Sequence, residues 1–191
     1  MREEAFLLVW IDHAAHGAQT PSAEVRYWYR EGSIAFSEHR YLAAIDDENR
    51  AISENPAFEP AYTVKGIALA YAYNDSYNAA MLILRQAISM NPYDGYGWFN
   101  IGLCNERYGF YGQGIAAYEH AIHLRQRAWW LPWAYYGIAC IYGREGDAEL
   151  AVKYLKEALK YNPKTILNAA RSEQDFAPVR DNPQFKDLIN S

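Results

Sequence analysis

Cysteine is scarce: the 191-residue chain has two, Cys104 and Cys140. That is too few for the disulfide framework that holds many small exported domains together. The expected location is therefore a reducing one, the cytoplasm. Basic residues are outnumbered, 18 Lys and Arg against 23 Asp and Glu, for a net charge of −5. An acidic chain has no electrostatic pull toward nucleic acid, and it offers no polybasic segment to an anionic membrane. Long apolar runs are missing as well. Residues 6–11 form a short one after Glu3 and Glu4, well below the ~18 residues of a membrane span and without the basic start of a secretory signal.

Catalytic and ligand motifs are equally thin. The string Gly109-Phe110-Tyr111-Gly112-Gln113-Gly114 lacks the lysine and preceding strand of a phosphate loop. His13 with His16, and His120 with His123, are spaced to share a helical face, but two imidazoles do not make a metal site. Neither cysteine has an evident activating base. No enzyme activity, metal or cofactor is expected. The acidic run Asp46-Asp47-Glu48 reads as a solvated helix face.

What the chain has in quantity is aromatic side chains, including 17 tyrosines and 6 tryptophans, and 51% of its residues are hydrophobic. They recur with a period. A large aromatic appears at Trp28, Tyr62, Trp98 and Trp133, and four residues on comes Gly32, Gly66, Gly102 and Gly137. A small residue follows at Ala44, Ala80, Gly114 and Ala151, then an alanine at Ala51, Ala87, Ala121 and Ala158. Pro56, Pro92 and Pro163 close three of the units, each after an asparagine, whereas the third has Gln126 there. Glycine on one helix and alanine on its partner let two helices cross closely. Aromatics fill the gap to the next pair, and proline stops the second helix. The glycine-to-small-residue interval alternates between 12 and 14 residues, so the second and fourth units should carry longer first helices or looser turns.

This order of landmarks resembles the tetratricopeptide (TPR) consensus, a helix–turn–helix repeat. The resemblance implies an all-α fold: an α-solenoid of four TPR-type repeats with N- and C-terminal capping helices. The expected divisions are an N-terminal capping helix or partner-binding arm at 1–19, repeats over 20–163 (21–56, 57–92, 93–127 and 128–163), and a C-terminal capping helix and tail at 164–191. Thr20-Pro21 reads as the start of the first repeat helix. In the tail, Phe176, Val179, Phe185 and Leu188 should anchor short helical turns. The Asp-x-Pro-x-Phe ending is similar to that of bacterial members of the family.

The resemblance also implies a protein–protein interaction module with a concave groove for an unidentified peptide or partner protein. The groove positions carried over are Arg26, Tyr29, Ser33 and Phe36, then Thr63, Ile67 and Tyr71, then Tyr96, Phe99, Leu103, Glu106 and Arg107, then Ile138 with Ala134 and Ile141. The lysine–asparagine–arginine clamp that some members use for a C-terminal carboxylate is not matched by Tyr29, Ser33, Val64, Tyr96, Phe99 and Asn100. An apolar or aromatic segment is the expected guest. Two alternatives are a secretion-type chaperone for a hydrophobic client and a self-associating homo-oligomer. Of Trp129, Trp130 and Trp133, one should fill the repeat landmark and the others either form an exposed patch or bridge the third and fourth repeats.

Overall fold

The computed structural model describes residues 20–124 and 128–190. The expectations for residues 1–19 and for Gln126 lie outside these residues. Eight helices pair into four hairpins: α1 (Ala23–Ser37) with α2 (Tyr41–Glu54), α3 (Glu59–Ala72) with α4 (Tyr77–Met90), α5 (Gly95–Arg107) with α6 (Tyr111–His123), and α7 (Leu131–Arg144) with α8 (Ala148–Leu159). Each first helix also packs on the second helix of the hairpin before it and on the next first helix. The result is an α-solenoid with no strand among the described residues. α9 (Pro163–Ser172), a 3-10 segment (Gln174–Val179) and α10 (Pro183–Asn190) close its C-terminal end against α7 and α8.

The crossings work by missing side chains. A Cβ on Gly66 would lie 2.7 Å from Leu84, and one on Gly102 would lie 2.4 Å from Tyr118. Tyr118 is fully buried and is shared between two hairpins, because a Cβ on Gly137 would meet the other edge of the same ring at 2.7 Å. Its hydroxyl donates to Glu106 Oε2 at 2.6 Å. The landmark aromatics do a second job. Tyr62 donates to the Pro56 carbonyl and Trp98 to the Pro92 carbonyl, each at 2.9 Å, so each pins the turn that delivers its own helix. Asn55 and Asn91 are extended, as residues before proline must be, and each accepts a backbone N–H two residues on.

The alternating interval has two different causes. α1 and α5 turn back through three residues, with His39 (φ 60°) and Gly109 (φ 80°) in the left-handed region. In the fourth hairpin the turn keeps that design, with Gly146 at φ 81°, and the extra length lies in α7 itself. In the second hairpin α3 runs into the four-residue turn 73–76, where Tyr73 is extended (φ −138°). The helix start also differs by two residues. Ser22 is the cap, accepting from Val25 N at 3.2 Å, because its hydroxyl is one turn from an open N–H whereas Thr20 lies too far upstream.

In the tail, Phe176 is fully buried. Its ring stands edge-on to Tyr136 at 5.8 Å and 5.0 Å from Phe185, in space that Gly143 leaves open. Val179 and Phe185 are buried with it, while Ile189 goes deeper than Leu188. Arg180 ties the segment by donating to the carbonyls of Arg171 and Glu173. Phe176→Ala should cost about 3 kcal/mol and release the tail. Limited proteolysis would then cut after residue 172 well before the repeats are attacked, and an unchanged digestion pattern would refute this role.

Candidate functional site

The expected groove residues fall into two groups along the first helices of the hairpins. The C-terminal group is a hollow of about 480 Å³ lined by Tyr71, Leu103, Glu106, Arg107 and Arg144, closed below by Ala169 and residues 172–175. It brings together four expected residues from the second and third repeats. Arg107 lies flat over the Tyr71 ring at 4.5 Å and donates from Nε to the Ala70 carbonyl at 2.8 Å. Arg144 bridges Tyr111 and Asp175. The wall is thus aromatic on one side, with two exposed guanidinium groups and several carboxylates around it.

The N-terminal group contains Tyr29, Ser33, Thr63 and Tyr96 and was not legible as a unit. Tyr29 is half-buried and Thr63 and Tyr96 are buried. Thr63 donates to Glu59 Oε1 at 2.9 Å. Asp94 caps α5, accepting from the N–H groups of Tyr96 at 3.0 Å and Gly97 at 2.7 Å. Burial, then the charge of Asp94 and a hydrogen bond to it, push the Glu59 carboxyl up to about 9. Glu59 therefore holds the proton and donates it toward Asp94.

Glu48 overturns the solvated reading of the acidic run. Asp46 is exposed, but Glu48 is fully buried. It stands four residues after Ala44, where the other repeats place Leu84, Tyr118 and Leu155 four after their own small residue; all three are fully buried. That comparison of repeats is the signal that marks it. Neither carboxylate oxygen has a hydrogen-bond partner. Burial, then Asp47, holds its pKa well above the usual carboxylate range. Burial also raises Tyr29 and Tyr96 well above the phenol range.

Among the other groove residues, Phe36, Ile67, Phe99, Leu103, Glu106 and Ile138 are buried, and Ala134 and Ile141 are too. Arg26 is exposed and donates to the Pro21 carbonyl at 2.6 Å. The tryptophan run bridges repeats and forms no exposed patch: Trp130 stacks on Phe99, Trp129 meets Tyr96 and Phe99, and Trp133 is edge-on to Tyr136. His120 packs on Trp98 at 4.1 Å, and His123 Nδ1 contacts the Glu119 carbonyl. Both cysteines are buried thiols outside any disulfide among the described residues, and burial pushes the Cys104 thiol up to about 12, the opposite of an activated nucleophile. Cys140, Glu173 and Asp175 bring potential ligand atoms within 4.8 Å of one another, but Arg144 already pairs with Asp175.

Fold and site together define a helical-repeat scaffold. A tetratricopeptide-repeat family model matches residues 66–94 and 134–165. A stretch of 77 residues, 40% of the chain, is 26% identical to Photosystem I assembly protein Ycf3 of Cyanophora paradoxa. It covers 44% of that protein, so the chain spans less than half the length of this curated relative. A crystal structure of MamA superposes with a TM-score of 0.58 at 26% identity, over 74% of this chain and 80% of that one. A thermophilic TPR protein from Thermus thermophilus superposes at 0.68 with 17% identity over 82% of each chain, a likeness of fold. The chain carries tetratricopeptide repeats over the matched residues and has the fold of tetratricopeptide-repeat proteins, a fold that in general supports a protein–protein interaction module. No described helix is long and apolar enough to cross a membrane.

Proposed function

We propose that the chain is a non-catalytic adaptor that holds an extended segment of a partner protein along its inner face, in the cytoplasm. The observation that carries this reading is the hollow of about 480 Å³ between the second, third and fourth repeats and the tail, which offers the Tyr71 ring beside the two exposed guanidinium groups. Aromatic and arginine side chains supply most of the energy at protein interfaces. The buried residues of the groove set act as its floor, and Tyr29, Ser33, Tyr71 and Arg107 as its contact surface.

Placing a photo-cross-linking amino acid at position 71 in the native host tests this. The expected outcome is a discrete adduct that is lost when Arg107→Ala is added. The same amino acid at position 82, where the outer-face Leu82 is 69% exposed, should give none. Equal adducts from both positions, or none from position 71, would end the reading.

A further inference from the structure

The hollow beside the tail holds one cation whose hydrogen bonds are unspent. Arg144 gives one Nη to the Tyr111 hydroxyl and the other to Asp175. Arg107 gives only its Nε, to the Ala70 carbonyl, and lies flat on the Tyr71 ring. Neither of its Nη groups has a hydrogen-bond partner among the described residues, and the side chain is exposed. A guanidinium held along one edge, with two donors left over, matches a carboxylate. Tyr71 and Leu103 offer apolar surface beside it. The guest that fits this wall is an acidic residue next to an apolar run. A hollow of about 480 Å³ holds a few side chains and no folded domain.

The chain carries such a sequence itself. Glu3 and Glu4 come just before the apolar run 6–11, which includes Phe6, Leu8 and Trp10. Arg2 precedes them, opposite in sign to Glu173 and Asp175 on the wall of the hollow. Residues 12–19, which join the run to Thr20, have no large apolar side chain. As extended chain they span about 28 Å. Thr20 stands at the head of α1, and Tyr71 near the foot of the next first helix. α1 has 15 residues, about 22 Å at its rise per residue. With neighbouring helices about 9 Å apart, Tyr71 lies about 24 Å from Thr20, within reach. The alternative place for the run, as a lid on the first hairpin, offers less. The exposed residues of α1 are Ala23, Glu24, Arg26, Tyr27 and Arg30, a mostly polar face of the kind that ends an array without cover.

We propose that residues 3–11 of the same chain occupy this hollow, with a Glu3 or Glu4 carboxylate on the Arg107 Nη pair and the apolar run over Tyr71 and Leu103. A partner segment binds by displacing them. The proposal rests on the groove reading above and adds to it the kind of guest, acidic residues followed by apolar ones, and a built-in competitor that sets the threshold for binding.

The test places a photo-cross-linking amino acid at position 174, on the exposed rim of the hollow, in the purified full chain, mixed with an equal amount of unmodified chain labelled with heavy nitrogen. Mass spectrometry should find the adduct on residues 3–11 of the light chain. It should vanish when Leu8→Asp and Trp10→Asp are combined, and weaken in Arg107→Ala. The two aspartates lie outside the repeats, and circular dichroism checks that the variant is folded. A second arm titrates a fluorescent peptide that copies residues 2–12. A tethered segment at an effective concentration of about 1 mM, competing with a peptide of Kd about 0.1 mM, weakens binding about tenfold. The double aspartate variant should therefore bind the peptide about tenfold more tightly than the wild type, and adding Arg107→Ala should remove that gain. An adduct on the heavy chain would assign the hollow to a second copy and overturn the proposal. So would the absence of any adduct on residues 3–11, or equal peptide binding by the wild type and the double aspartate variant. In each case the groove reading stands if position 71 still captures a partner in the host; if that capture fails too, both fall.

Discussion

Tyr118→Ala should cost about 4 kcal/mol, the usual range for emptying a buried aromatic site, and should divide the unfolding of the array into two steps. The ring is a wedge with Gly102 on one side and Gly137 on the other, so it belongs to the third and fourth hairpins at once. Removing it opens a void at their junction and takes the hydroxyl from buried Glu106. In a stacked array, stability is a sum of unit and interface terms; weakening one interface lets the two sides melt separately. Tyr118→Phe keeps the wedge and should cost about 1 kcal/mol, one hydrogen bond. Gly102→Ala should resemble Tyr118→Ala in kind, because its new methyl would lie 2.4 Å from the ring. Urea denaturation followed by fluorescence and circular dichroism reads all three. A single transition shifted by less than about 1 kcal/mol in Tyr118→Ala would show that the ring is no wedge.

Glu48→Leu should do the reverse and stabilise the first repeat by about 2 kcal/mol near neutral pH, the typical cost of a buried unsatisfied polar group. Leucine already fits this crossing in the second repeat, where Leu84 lies against Gly66. The gain should depend on pH in a definite sense. Both Glu48 and Glu59 have folded pKa values above the unfolded carboxylate value of about 4.3, so the native state binds protons that the unfolded state has released. Their contribution is fully present below about pH 4.3 and is lost as pH rises through the folded value, up to about 1.4 kcal/mol per pH unit for each group. For Glu59 that window extends to about 9. The wild-type chain should therefore become less stable from pH 5 to pH 8. Glu48→Leu should flatten this slope, and Glu59→Gln should remove the remaining part. A wild-type Tm that stays level or climbs across this range would contradict the assignment of a held proton to these carboxyls.

Much of the architecture was written in the recurrence of aromatic, glycine and alanine, because those residue types answer one steric demand, the close crossing of two helices. The turn chemistry was less legible. His39 adopts the left-handed conformation that Gly109 and Gly146 adopt in sister turns, and nothing about a histidine announces that. The groove register proposed Tyr29, Tyr71, Tyr96 and Arg107 by position alone, and whether a ring there is floor or contact depends on the neighbouring hairpin. Glu48 was hidden by its acidic neighbours Asp46 and Asp47. Local charge suggested solvent, whereas alignment of the repeats with one another shows a core position.

The end of α3 relies on its successor. Its last residues have no left-handed cap to turn their carbonyls inward; Ser76 of its own turn reaches those of Leu69 and Tyr73, and the third hairpin adds Arg107 to the Ala70 carbonyl and Tyr108 to those of Ala70 and Tyr73. The dependence runs one way along the chain, so a ribosome releasing this protein would present a second hairpin with an unfinished end until the third had emerged and folded onto it.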